Sequence, residues 1–489
     1  MLKLPNTSIT AAQVVAAGKF LPPGEAPSPA DLAIYKTLPT FCRVQGTIRP
    51  TTDSNIEFEV WLPVAGWNGK YMGTGNYDSA GYINYPFESP LGNSPGLAYL
   101  LAGYATSSTD TGHKLSGPDS QWAMGHPEKI VDWGYRGIHQ TAEKSKAIIH
   151  AFYGGGPKHS YFSGCSNGGR QGLMEAQRFP SDYDGIIAGA PAISITHLVA
   201  ALWMNARAIE ADPANKIPPA KVPAVQSAML AACDTLDGLK DGLIDDPREC
   251  HFDPAALLCR EAESDACLTQ PQVEILRKIY AGIRTSKGEL IYPGNLPGAD
   301  FQFWFGLPKV VLKNRGAYLI FQNQDWDYHS FNVDRDVKIA DETVGEKVNA
   351  RDPNLTAFKN LGGKLIVFQG WSDANAAPAN TLDYYEKVVA NMGQMDAGRF
   401  SRLYMVPGME HCGGGPGPNS FGAPMTAALE RWVEQGAAPD RIIATKYKSD
   451  FNSSSGIART RPLCPYPQVA RYRGSGSIDD AANFVCRAP

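Results

Sequence analysis

Lys158-His-Ser-Tyr-Phe-Ser-Gly164-Cys165-Ser166-Asn167-Gly168-Gly169-Arg170 is the stretch on which the fold turns. Residues 158–163 read as a short strand, 164–169 as a sharp glycine-rich turn, and 170–178 as a helix that Pro180 brings to an end. The turn fits G-x-S-x-G, and a strand before it with a helix after it is the setting that pattern needs to expose a nucleophile. Glycines let the chain turn tightly and let strand and helix approach closely. The Ser166 hydroxyl is then lifted above the sheet, and the Asn167 N–H sits at a helix N-terminus, where it can donate to an oxyanion. A bare G-x-S-x-G also occurs in ordinary turns; the flanking elements favour the chemical reading.

Working outward, residues 56–62 alternate as a strand does, and residues 70–75, Lys-Tyr-Met-Gly-Thr-Gly, run from strand into a glycine-rich loop. Further strands are predicted at 104–108, 184–188, 364–368 and 402–406, with helices at 97–103, 135–153, 381–392 and 424–435. This alternation predicts a mainly parallel α/β sheet. It is lost between about 194 and 354, where prolines, four cysteines, acidic turns and aromatic clusters such as Phe301-Gln-Phe-Trp-Phe305 accumulate. The expectation is an α/β-hydrolase fold: a catalytic domain from residues 1–193 and 355–489, and an inserted lid domain from 194–354. The tail beyond 451 reads as polar and turn-rich.

A serine hydroxyl is a poor nucleophile without a base, and the base needs an acid to orient it. In the order Ser…Asp…His, both partners lie downstream of Ser166 and past strand ends. Asp373 follows the strand 364–368 in Gly370-Trp-Ser-Asp373, and His411 follows 402–406 in Pro407-Gly-Met-Glu-His411-Cys412. Each residue alone could be a turn aspartate or a loop histidine. His113, in Asp110-Thr-Gly-His113, is upstream and is expected to shape the cleft. Cys165 precedes the serine and Cys412 follows the histidine, so if Ser166 and His411 meet, their neighbours come within disulfide reach.

Composition closes off other classes. The chain has 489 residues, 43% apolar and 19% charged, with a net charge of −4. That is an ordinary globular balance, not a disordered one. No Lys/Arg block suggests nucleic acid, and no apolar run is long enough for a membrane-spanning helix. The nine cysteines contain no C-x-x-C pair, which removes the main support for a zinc ribbon or a thioredoxin-like motif. Cys233, Cys250, Cys259 and Cys267 cluster, and Cys464 and Cys486 close the tail. Local pairs of this kind suggest disulfides in an oxidising compartment, with buried free thiols in a cytosolic enzyme as the alternative. Met1-Leu-Lys-Leu-Pro5 lacks the apolar stretch of a secretory signal, so a secreted or periplasmic location implies a leader removed ahead of it.

With Cys165-Ser166, Asp373 and His411-Cys412 in view, the chain resembles the tannase and feruloyl esterase family. The resemblance begins at Leu38-Pro-Thr-Phe-Cys42-Arg-Val and Trp67-Asn-Gly-Lys. It continues through Ser107-Ser-Thr-Asp-Thr-Gly-His113 and Arg178-Phe-Pro-Ser-Asp-Tyr-Asp-Gly185. It implies a catalytic Ser166–Asp373–His411 triad and a disulfide between Cys165 and Cys412. It also implies a lid calcium loop in Cys233-Asp-Thr-Leu-Asp-Gly-Leu-Lys-Asp-Gly-Leu243, with carboxylates of Asp234, Asp237 and Asp241 and carbonyls of Leu239 and Leu243 on Ca²⁺. Oxygen-only ligands suit a hard cation, although the same loop could be merely solvated. A Cys233–Cys250 bridge would brace it. Family oxyanion loops are often G-x-G-G. Gly73-Thr-Gly75-Asn76 departs from this, which leaves the second oxyanion donor open between the N–H groups of Gly75 and Asn76. The first N-terminal cysteine of the family is missing, so Cys42 is expected to be unpaired.

The activity implied is that of a serine carboxylesterase on aryl or hydroxycinnamoyl esters, without a redox cofactor. The alternatives are terephthalate half-esters or galloyl esters as substrates, and a non-catalytic binding protein on the same fold is the rival from another class. The lid aromatics Trp304, Phe305, Phe321 and Trp326 are candidates for an aryl pocket, against the ordinary reading of large aromatics as core. Gln369, close before Asp373, is a candidate substrate contact.

Overall fold

The computed structural model describes residues 2–24, 26–85, 93, 96–114 and 120–489. Nine strands form one sheet: β1 (Thr7–Val15), β2 (Phe41–Ile48), β3 (Ile56–Pro63), β4 (Lys70–Thr74), β5 (Ala105–Thr109), β6 (His159–Cys165), β7 (Gly185–Gly189), β8 (Lys364–Gly370) and β9 (Ser401–Val406). Their order is β1-β2-β3-β5-β4-β6-β7-β8-β9. β1, β2, β3 and β5 pair antiparallel in turn. From β5 onward every pairing is parallel. Crossing β5 and β4 in the order is what an α/β hydrolase does, and the parallel pairing from β6 through β9 puts the ends of β6, β8 and β9 along one edge of the sheet.

Parallel strands need helical crossovers, and these cover both faces. α1 (Gly137–Tyr153) packs on β3, β4 and β5, and α2 (Asn167–Arg178) on β6 and β7. α1 turns Ile138, Ala142 and Ile149 inward at helical spacing and stops where Gly154 takes a left-handed φ of 77°. α4 (Pro378–Met392) lies against β8, and α5 (Gly422–Gln435) against β7 and β8. Covered on both sides, β8 is a continuous buried run, Leu-Ile-Val-Phe-Gln-Gly after Lys364.

Between β7 and β8 the chain leaves the sheet for the 194–354 segment, which is largely helical. Its centre is α3 (Ile195–Glu210), whose Trp203 is fully buried against Trp326 and Phe331, with ring centroids 4.6 and 4.9 Å away. Disulfides Cys233–Cys250 and Cys259–Cys267 close its loops. Two features depart from the expectation. β1 and β2 were not legible: β1 is an edge strand with mostly polar or small residues, and β2 is buried nearly throughout, so neither shows clear alternation. The tail is ordered into antiparallel pairs, Ile442–Tyr447 with Ile457–Leu463 and Val469–Tyr472 with Phe484–Arg487, the second anchored by Cys464–Cys486. Among the described residues no helix is long and apolar enough to cross a membrane.

Candidate active site

Ser166 stands between β6 and α2 with φ 65° and ψ −119°, a conformation costly for a residue with a side chain. The Ser166 N–H donates to the Gly189 carbonyl at 2.9 Å, and the Ser166 carbonyl accepts from Arg170 N and Ala192 N. Such a turn is possible because strand and helix nearly touch: a Cβ on Gly164 would come 2.6 Å from the Gly168 backbone. Asn167 is the first residue of α2, and its N–H is among those a helix leaves without an internal partner. Its side-chain Oδ1 accepts from Arg170 Nε and Nη2 at 2.9 and 2.6 Å. Arg170, which sequence reasoning missed, is fully buried over the Trp133 ring and also donates to the carbonyls of Gly134 and Val348. Burial alone brings its guanidinium down to about 9.

Asp373 is fully buried and accepts four hydrogen bonds. Oδ1 takes the N–H groups of Asn375 and Ala376; Oδ2 takes Gln369 Nε2 and His411 Nδ1, both at 2.8 Å. A carboxylate can only accept, so His411 carries its proton on Nδ1 and turns the Nε2 lone pair outward. Nε2 is buried without a hydrogen-bond partner. Burial lowers the His411 imidazole, but the charge and hydrogen bond of Asp373, with the charge of Asp78, outweigh it and leave the net shift upward. Ser166 and His411 line one cavity of about 330 Å³. Cys165 and Cys412 are disulfide-bonded with their Cα atoms 6.0 Å apart, tying the serine turn to the histidine loop.

Several expectations need correction. The Gly75 N–H donates to the Ser163 carbonyl and the Asn76 N–H to Gln171 Oε1, each at 2.9 Å, so neither is free for an oxyanion. Gln369 is not among the described residues that line this cavity. It is fully buried behind Asp373, donating also to the carbonyls of Gly370 and Ala376 and accepting from Thr381. None of Trp304, Phe305, Phe321 and Trp326 lines the cavity. Trp304 is buried and donates to Asn295 Oδ1; Phe305 packs on the lid core; Phe321 and Trp326 stack on each other beside Trp203. In so helical a segment the large rings go first to its own core. The cavity wall is instead Trp122 and Trp133 from the sheet domain with Phe303, Ile195, Leu198 and Leu319 from the lid. His113 stacks on Trp122 at 3.9 Å, and burial pushes its imidazole down to about 4, so it is neutral.

In the acidic lid loop, Asp237 Oδ1 and Asp241 Oδ1 accept from the N–H groups two residues on, and Asp234 Oδ1 accepts from Asp241 N and Gly242 N. Arg461 pairs with the Asp241 carboxylate, and Arg459 donates to its carbonyl. Asp245, not foreseen from the sequence, is half-buried beside Asp237; desolvation and the like charge of Asp237 push its carboxyl up to about 8. The donors fit a hard cation in kind: they are all oxygen, and burial beside neighbouring carboxylates holds the Asp237 and Asp245 carboxyls up. The compact set of three ligand-type side chains among the described residues lies elsewhere, at His139 of α1, Glu175 of α2 and Asp182.

A strained serine after β6, with an aspartate past β8 paired to a histidine past β9, defines the class of α/β-hydrolase serine enzymes. The chain belongs to the tannase and feruloyl esterase family, whose model matches residues 42–487. It is 41% identical to an uncharacterized esterase of Xanthomonas campestris pv. campestris, over 99% of this chain and 90% of that one. It is 34% identical to the mono(2-hydroxyethyl) terephthalate hydrolase of Piscinibacter sakaiensis, over 95% of this chain and 87% of the relative. Among solved structures, feruloyl esterase B from Aspergillus oryzae superposes with a TM-score of 0.88 at 28% identity, covering 99% of this chain and 98% of that one. The tannin acyl hydrolase of Aspergillus niger, at 21% identity, shares the fold with a TM-score of 0.76 and coverage of 99% and 92%. The protein is a carboxylic ester hydrolase.

Proposed function

We propose that the protein is a secreted serine esterase that cleaves aryl or hydroxycinnamoyl esters through an acyl-enzyme. The observation that carries this reading is the free Nε2 of His411 sharing an aromatic-walled cavity with Ser166. His411 Nε2 takes the Ser166 proton as Oγ attacks the ester carbonyl, while Asp373 holds Nδ1–H and steadies the imidazolium. The oxyanion is met by the Asn167 N–H and, with Gly75 and Asn76 spent, by a second donor from the Asp78–Ser79 turn that borders the cavity. His411 then gives the proton to the leaving alcohol, and water repeats the sequence on the acyl-enzyme. Flat rings suit walls made of Trp122, Trp133 and Phe303. The apolar stretch of wall from Ile195, Leu198, Val199 and Leu202 offers no hydrogen bond to the three hydroxyls of a galloyl group, which favours feruloyl over galloyl esters. The terephthalate half-ester stays as a second reading, supported by the 34% identity to the Piscinibacter enzyme.

Secretion is proposed from the four disulfides. Ca²⁺ is proposed for the lid loop, held by Asp234, Asp237, Asp241 and the carbonyls of Leu239 and Leu243; it would brace the loop and supply no step of the reaction. Hydrolysis of methyl ferulate, methyl gallate and the terephthalate half-ester by the wild type and by Ser166→Ala tests the whole reading. The wild type is expected to prefer methyl ferulate, and the variant to lose on the order of 10⁴–10⁶ in kcat. A variant that keeps a tenth of the activity refutes the nucleophile.

A further inference from the structure

The cavity wall carries one ion pair that the reaction scheme above does not use. Among its described lining residues Asp78 is the sole carboxylate and Arg315 the sole lysine or arginine. Arg315 Nη2 donates to Asp78 Oδ1 at 2.8 Å, joining the lid to the turn that follows β4. That turn is held in an unfavourable shape, with Asp78 at φ 46° and Ala80 at φ 62°. Arg315 is held just as firmly from its own side. It opens the helical turn Arg315–Ile320, whose Gly316 lies so close under Trp326 that a Cβ there would come 2.0 Å from the ring.

We propose that Arg315 is a positioning residue for ester cleavage: its pair with Asp78 fixes the Tyr77–Ser79 turn beside Ser166 and cancels a carboxylate that would otherwise face the reacting carbonyl. The inference rests on the esterase reading. Its physical basis is that negative charge grows on the carbonyl oxygen during attack, and an uncompensated anion on the same apolar wall raises the barrier. A turn with two non-glycine residues at positive φ also needs outside contacts to stay in one place. Stability is not the point of the pair. Its side chains are 20% and 40% exposed, and ion pairs so placed contribute little to folding, so variants of it should fold.

The pair also has a signature in pH. The charged groups around His411 are Asp373, Asp78 with Arg315 from the lid, and the neighbouring Glu410, itself near Asp300, Lys446 and Asp450. Asp78 favours protonated His411, and Arg315 offsets it. The base works only when neutral, so activity falls as pH drops through the His411 pKa. Removing Arg315 should move that acid limb to higher pH, and removing the Asp78 charge should move it to lower pH.

The experiment is a double-mutant cycle of Arg315→Met and Asp78→Asn in the full chain, with p-nitrophenyl acetate as substrate and kcat, KM and the acid limb recorded for each. Each single change should lower kcat on the order of 10–100-fold with KM little altered, and the double should lose no more than the worse single. The acid limbs should shift in opposite directions, and Arg315→Lys should restore part of kcat. Losses that multiply, limbs that do not diverge, or a rise in KM alone would overturn the proposal. Ser166→Ala is run alongside: turnover there refutes the esterase reading itself, whereas its loss together with an uncoupled cycle refutes only the role of Arg315.

Discussion

At the scale of the residue, Gln369 shows how a position near the reaction acquires its role. Its amide donates to Asp373 Oδ2, the oxygen that also receives His411 Nδ1–H, and its own carbonyl oxygen is held by Thr381. It therefore orients the acid without meeting the substrate. Gln369→Leu should lower kcat about tenfold, since small displacements of a catalytic group are costly, while leaving KM for bulky esters unchanged. Steady-state kinetics on methyl ferulate check this; a raised KM with kcat intact would return Gln369 to the substrate. The Ser166, Asp373 and His411 positions were legible because each combines a reactive side chain with a place just past a strand. Asp78 and Arg315 were not, because they lie 237 positions apart and neither sits in a recognisable pattern.

At the scale of the element, the decisive link is between the turn after β6 and the loop after β9. The disulfide Cys165–Cys412 spans 247 positions and joins the neighbours of the nucleophile and the base. Closing so long a loop restricts the denatured chain, worth about 2–5 kcal/mol in model-dependent estimates. Converting both cysteines to Ala should lower the melting temperature and reduce kcat by more than it raises KM, because the two loops lose their fixed spacing. Thermal melts and kinetics on the same preparation decide it: full activity with a lowered melt would make the bridge structural only. This pairing followed from sequence because the two cysteines flank residues that chemistry requires to meet. The lid aromatics went wrong for a related reason. Which face of a short helix turns to the cavity depends on how the segment packs, and there Phe303 faces the cavity while Trp304 turns to Asn295.

At the scale of the whole molecule, the lid and the sheet domain meet over the cavity, and the acidic loop of the lid is also tied to the C-terminal strands. Arg459 and Arg461 reach Asp241 from one strand, and Arg471 donates to the Asp237 carbonyl from the next. If Ca²⁺ binds there, it braces both the lid and the tail. EGTA should then lower the melting temperature by several degrees, as expected when a ligand of the native state is removed, and elemental analysis should find calcium in the untreated protein. An unchanged melt in a protein without calcium would leave Arg459, Arg461 and Arg471 as the counter-charges of the loop.

The sequence by itself determined the α/β sheet, the order serine–aspartate–histidine along it, the inserted segment and the cysteine pairs. These depend on local signals: strand–turn–helix punctuation, chain order past strand ends, and close spacing or catalytic flanking of cysteines. Only the tertiary structure decided which groups face the cavity and which donors remain free. Gly75 and Asn76 were reasonable oxyanion donors until Ser163 and Gln171 were seen to occupy their N–H groups. The wall of the site, Trp122 and Trp133 with Phe303, comes from segments far apart in the chain. Hydrogen-bond satisfaction and side-chain direction are settled by contacts between distant segments, and no local pattern encodes them.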